Sequence, residues 1–226
     1  IVAISLIFFY LASVAYPLVK PVEVSDWQSY GVPGGAGERT VYLSSEEQRE
    51  IGARFTGNGV VHFFNLRDGA PRGEVKIKIP KGASITSFAA GDAHEYIAAY
   101  GLSDGRAVVV KQTYGVTFDA GNKRVIQPGI EYPLGEEPVV LDEKHTAIQK
   151  LAIQSKDDAT TLAALTRDGR LLLAGLTATK NLITGAVAIE RSAGRLDEVA
   201  GEIQHLIVEV KQRDLYIGHG GKFITH

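Results

Sequence analysis

The chain has 226 residues, of which 45% are hydrophobic and 22% charged, and its formal net charge is −2. That balance excludes a disordered chain and a multi-span membrane protein, and it leaves no basic excess for binding nucleic acid. Cysteine is absent, which removes disulfides, thiolate nucleophiles and Cys-ligated zinc, and methionine is absent even at position 1, so the sequence is expected to be a fragment at its front end.

Residues 1–19 (IVAISLIFFYLASVAYPLV) carry no charge. As a helix rising ~1.5 Å per residue they would extend about 28 Å, close to the hydrocarbon thickness of a bilayer. A transmembrane helix is expected over 1–19, with Tyr16 at headgroup level, Pro17 ending the helix and Lys20 as the first charge. A secretory signal is the alternative, with Ser13-Val14-Ala15 as a small-x-small cleavage site. Both readings place the remainder outside the cytoplasm.

Residues 20–38 read as a flexible stalk, because the run Gly31-Val32-Pro33-Gly34-Gly35-Ala36-Gly37 suits no regular element. It fails as a phosphate cradle, since no strand precedes it and no lysine-bearing helix follows.

From residue 39 to 226 the signals are short strands and tight turns. Residues 51–56 mix apolar and polar side chains before the turn Gly57-Asn58-Gly59. Residues 60–66 (VVHFFNL) are β-branched and aromatic, and Arg67-Asp68-Gly69 turns the chain again. Residues 74–79 alternate, which predicts a half-buried antiparallel strand with Val75, Ile77 and Ile79 inside and Lys76 and Lys78 outside.

A module then recurs. Ile85-Thr86-Ser87-Phe88 leads to a strand over 96–102, the turn Ser103-Asp104-Gly105 and a strand over 106–112. Ile148-Gln149-Lys150-Leu151 leads to strands over 160–165 and 170–176 around Arg167-Asp168-Gly169. Ile203-Gln204-His205-Leu206 opens a third copy, with a strand over 214–218 and a turn at Gly220-Gly221. Residues 115–143 and 181–196 read as outer strands with excursions, and 196–201 as one helical turn. Small antiparallel sheets of this kind bury both faces by stacking around an axis. The fold class predicted is all-β: a partial β-propeller of WD40-like blades over 39–226, after one N-terminal transmembrane helix. A β-sandwich is the alternative. Closure takes about 4–8 blades, so truncation is expected at the back as well.

No constellation for catalysis emerges. The six histidines (62, 94, 145, 205, 219 and 226) include no H-x-H pair and no i, i+4 pair. His62 reads as a satisfied strand residue, and His94-Glu95 as a solvated loop. Gly218-His219-Gly220-Gly221-Lys222-Phe223 lacks the glycine spacing and the hydroxyl residue of a P-loop. Asp157-Asp158 and Glu136-Glu137 are adjacent pairs that strand geometry points apart. Asp68, Asp104 and Asp168 are assigned to hairpin geometry. No catalytic, cofactor-binding or metal-ligating residue is assigned, no cofactor is implied, and the substrate-binding residues are left unknown.

Residues 4–18 (ISLIFFYLASVAYPL) resemble the first transmembrane helix of the long PstC-type permease subunits of the bacterial phosphate ABC transporter, which carry a large periplasmic insertion after that helix. The resemblance continues through 60–65 (VVHFFN), 99–109 (AYGLSDGRAVV) and 130–142 (IEYPLGEEPVVLD), and more weakly through 181–186 (NLITGA) and 206–216. It implies a non-catalytic part of a phosphate importer in the inner membrane, with its soluble part in the periplasm. The partners implied are a second permease subunit, a cytoplasmic ATPase and a periplasmic phosphate-binding protein. The pore helices of that family have no counterpart here, so no phosphate-contacting residue is carried over. The rival expectation is a single-span propeller that binds or scaffolds in the cell envelope, and a propeller-based enzyme is a third.

Overall fold

The computed structural model describes residues 2–20, 29–180, 187–196 and 199–226. It divides into two compact units, Ile1–Gly31 and Val32–His226. Within the first, α1 (Val2–Val19) is an uncharged helix. Its described large apolar side chains all face solvent, from Ile4 at 72% exposure to Tyr16 at 59%. Pro17 does not end it, because a proline in the last turn removes one N–H and the helix closes two residues later. Among the described residues no helix is long and apolar enough to cross a membrane. The transmembrane assignment of 1–19 therefore rests on the sequence.

The second unit holds four antiparallel sheets. The first runs β1 (Thr40–Ser45), β2 (Ile51–Thr56), β3 (Val60–Asn65), β4 (Pro71–Lys76), each strand beside the next. The second runs β5 (Ile85–Ala90), β6 (Ile97–Leu102), β7 (Arg106–Phe118), β8 (Arg124–Glu131), with β9 (Val139–Val140) also on β7. The third is β10 (Ile148–Lys156), β11 (Ala159–Thr166), β12 (Leu171–Lys180), β13 (Val187–Arg195), and the fourth is β14 (Ile203–Val208), β15 (Leu215–His219), β16 (Phe223–Thr225). Both expected hairpins form, β6 with β7 and β11 with β12, and both are antiparallel.

The sheets stack face to face as propeller blades, and the period of two in the strands shows how. On β6, Ala98, Tyr100 and Leu102 join Phe55, Val61 and Phe63 of the first blade. Ile97 and Ala99 point the other way and join Leu162, Ala164 and Leu176 of the third. The third blade repeats the device: Leu165 and Leu171 face Ile203 and Ile217 of the fourth, and Ala163 faces Val208. Because both faces are buried, strands such as β2 and β6 are buried along their whole length. This arrangement excludes the two-layer sandwich.

Hydrogen bonds reinforce the stacking. The Tyr100 hydroxyl donates to the Thr56 carbonyl at 3.3 Å across the first interface. Asp142 joins the second and third blades. Its backbone N–H donates to Gly105 O at 2.9 Å, and its carboxylate accepts both ends of the Arg170 guanidinium at 2.6 and 2.7 Å.

The free face of the first blade is polar, and the glycine-rich run covers it. Arg54, on buried β2, donates to the Pro33 and Glu38 carbonyls at 2.7 and 2.6 Å. Glu38 sits 2.9 Å from His62 Nε2, and the other ring nitrogen lies 3.4 Å from Glu74. Residues 33–38, expected as part of a loose stalk, are thus fastened to the domain, because a buried guanidinium must find acceptors. Residues 21–28 of that stalk lie outside the described residues.

Other expectations shift in extent. The strand read over 74–79 is β4, Pro71–Lys76. The predicted parity survives past its end: Ile77 is buried, Val75 and Ile79 are half-buried, and Lys76 and Lys78 are exposed. Ile77 N–H bonds to Gly59 O at 2.8 Å, which continues the β3–β4 register one pair beyond Val60 and Lys76. The outer strands expected in 115–143 and 181–196 are β8 and β13. Residues 181–186 lie outside the described residues. So do 197–198, in the expected helical turn, and the described residues beside them are not helical.

Candidate functional site

The first strand of each blade carries the same irregularity. Register slips by one residue between Thr40 and Tyr42, Ile85 and Ser87, Ile148 and Lys150, and Ile203 and His205. In each case two steps on the first strand oppose one on its partner, which is a β-bulge. Bulges re-aim side chains and gather beside functional sites. The residues left unpaired are Val41, Thr86, Gln149 and Gln204.

These strands share one place. β10 packs on β5 and on β14, and an open cavity of about 680 Å³ is lined by residues from all four first strands. Apolar Phe88, Leu151 and Leu206 contribute to its wall. Its hydroxyls serve the fold: Thr86 and Ser87 donate to Ile148 O at 2.8 and 2.9 Å, and Thr40 accepts from Arg54 at 2.8 Å. The side chains of Arg39, Gln149, Lys150, Gln204 and His205 make no hydrogen bond or ion pair among the described residues, and no carboxylate is among the described residues that line the cavity. The mouth is therefore a polar, cationic surface with side chains available to a ligand.

The candidates weighed on sequence fall elsewhere. His62 is 4% exposed and paired, a core residue as expected. His94 lies on Asp92 in an exposed turn at 3.0 Å. His219, inside the rejected P-loop string, bonds Ala200 O and Thr225 Oγ1 at 2.6 and 2.9 Å across a hairpin. The acidic turns do what hairpins require. Asp168 accepts Thr166 Oγ1 at 2.5 Å and Arg170 Nε at 2.8 Å, Asp104 accepts Arg106 Nε at 2.9 Å, and Asp68 accepts Ala70 N–H at 2.9 Å. Gly105 and Gly169, just after two of them, have φ of 80° and 85°. Arg170 holds the Asp142 carboxyl far below the usual carboxylate range, helped by N–H bonds from Thr146 and Lys144. Hydrogen bonds from Asn58 and His62 lower that of Glu38. Among the described residues no group of three or more His, Cys, Asp or Glu is placed to hold a metal.

The mouth was not found from sequence. Its signal was present in the recurring string of isoleucine, two polar residues and an apolar one, but a strand drawn without a bulge sends the two polar residues to opposite faces.

No family model and no curated protein matches the chain. Among solved structures, the chain is similar to the WD40 domain of SCAP from fission yeast, at 12% identity and a TM-score of 0.39, over 80% of this chain and 38% of that one. It is also similar to the β-propeller domain of Myceliophteria thermophila Cps50 (Swd1), at 10% identity and 0.42, over 80% of this chain and 49% of that one. The chain thus spans less than half the length of each. The blade architecture rests on the sheets themselves.

Proposed function

We propose that this chain is a non-catalytic binding module of the cell envelope, a set of propeller blades tethered to the membrane by residues 1–19. The observation that supports binding is the bulged mouth, where five polar side chains have no partner among the described residues. Support for the tether is an uncharged helix exposed on every described side, since a helix that is apolar all round needs an apolar surrounding. Alkaline carbonate extraction of membranes from expressing cells tests the tether. The chain should stay in the pellet, and its release into the supernatant would remove that part of the reading.

A more specific reading is that the module is the first span and periplasmic domain of a phosphate importer's permease subunit, in the bacterial inner membrane. It is favoured by the strings at 4–18, 60–65, 99–109 and 130–142, which extend beyond the Asp-Gly turns that propellers share. In this reading the pore belongs to later helices, ATP is hydrolysed by a cytoplasmic partner, and the blades recruit the periplasmic phosphate-binding protein. A photo-cross-linking residue at position 149 should capture that binding protein in cells taking up phosphate. Capture of other envelope proteins instead would leave the scaffold reading and end the transporter one.

A further inference from the structure

We infer that the mouth lined by the four bulged strands takes an acidic peptide segment of a partner protein, an inference that rests on the binding-module reading above. The first argument is charge. Arg39 and Lys150 face the opening with no carboxylate among its lining residues, although the chain as a whole is slightly acidic. Both cations lack ion pairs among the described residues, whereas Lys78, Arg106 and Arg170 are paired within the domain. Two unneutralised cations beside a low-dielectric wall favour an anionic occupant.

The second argument separates a peptide from a simple oxyanion. Gln149 and Gln204 are the residues pushed out by the bulges of the third and fourth blades. An amide side chain both donates and accepts, which matches a peptide bond and is half wasted on an oxyanion. The strands themselves add to this. β1, β5, β10 and β14 each pair on one side only, so each offers the opening one edge without a strand partner. A peptide that runs along one such edge satisfies it through its main chain.

The third argument is size. The opening, about 680 Å³ and lined by four strands, is more than one oxyanion fills. Carboxylates spaced along an extended segment can reach Arg39 on the first blade and Lys150 on the third, with Gln149 beside Lys150 and Gln204 on the fourth blade open to the main chain.

The test is fluorescence anisotropy on the full chain in lipid nanodiscs, with a labelled hexaglutamate peptide as probe. A hexaglutamine peptide and citrate serve as comparisons. The acidic peptide should bind at least tenfold tighter than the glutamine peptide, and its affinity should fall as salt rises. Lys150→Gln and Arg39→Gln should each weaken it by about fivefold. Gln149→Ala and Gln204→Ala should weaken it while leaving the salt dependence unchanged. Circular dichroism melts of each variant should match the parent. Equal affinity for the two peptides, or no effect of either cation variant, would overturn the inference. So would citrate displacing the probe at equal concentration, which would assign the mouth to small anions. If hexaglutamate fails but a cross-linker at position 149 still captures a partner, the acidic class falls and the binding module stands. If both fail, both fall.

Discussion

The Asp142 side chain is 3% exposed and meets Arg170 in a two-pronged pair, while its own backbone caps the Gly105 turn. Removing one member of such a pair leaves the other charge buried, a loss of about 3 kcal/mol in comparable cases. Asp142→Asn should therefore lower stability by that order in chemical denaturation at neutral pH. The pH dependence has a definite sign. The folded carboxyl titrates far below its unfolded value near 3.9, so its contribution is complete above about pH 4 and is lost as pH falls below that. Between neutral pH and acid, the gap between the parent and Asp142→Asn should close. A gap that stays constant would mean the charge is not what Arg170 recognises. Gly34 poses a backbone constraint: its φ is +107°, and an added Cβ would collide with Arg54, Glu38 and His62. Gly34→Ala should cost about 1–3 kcal/mol, whereas Gly37→Ala, with open space around it, should cost far less. Neither role was legible in the sequence. Asp142 and Arg170 are partners only once two blades stack, and a glycine-rich run looks the same whether it is loose or fastened.

Among the elements, the first strand of each blade combines two duties. In the second, third and fourth blades its bulge turns a polar residue into the mouth, and its apolar residues hold adjacent blades together. Phe88 of β5 shows the second duty, with ring centroids 5.9 Å from Tyr42, 5.8 Å from Phe55 and 5.0 Å from Tyr100. Phe88→Ala should destabilise the chain by about 3 kcal/mol through the cavity it opens between the first two blades, read as a lower denaturant midpoint. A variant as stable as the parent would mean that those blades are held by other contacts. Sequence alternation located most strands because a period of two survives stacking. It placed the strand over 74–79 too late, since Pro71 and Gly73 pair with β3 without any alternation of burial. The bulges escaped notice for a related reason. One inserted residue is invisible to a periodic pattern read over four positions.

For the whole molecule, the recurring turns and polar strings made the blades legible, because each blade is one repetition of the same local solution to burying two faces. Strand order within the blades follows the chain, each main path being a meander whose neighbours in sequence are neighbours in space, with β9 alone returning to β7. What a polar mouth binds depends on side chains from four blades meeting at one opening, which no local string encodes. The most direct check of the stack is nuclear Overhauser spectroscopy on the chain with labelled aromatic and methyl groups. The structure predicts three cross-peaks, one per interface: Tyr42 with Phe88, Thr86 with Ile148, and Ala163 with Val208. Absence of these contacts in a folded chain, with the same residues reporting other neighbours, would contradict the face-to-face blades and the mouth built upon them.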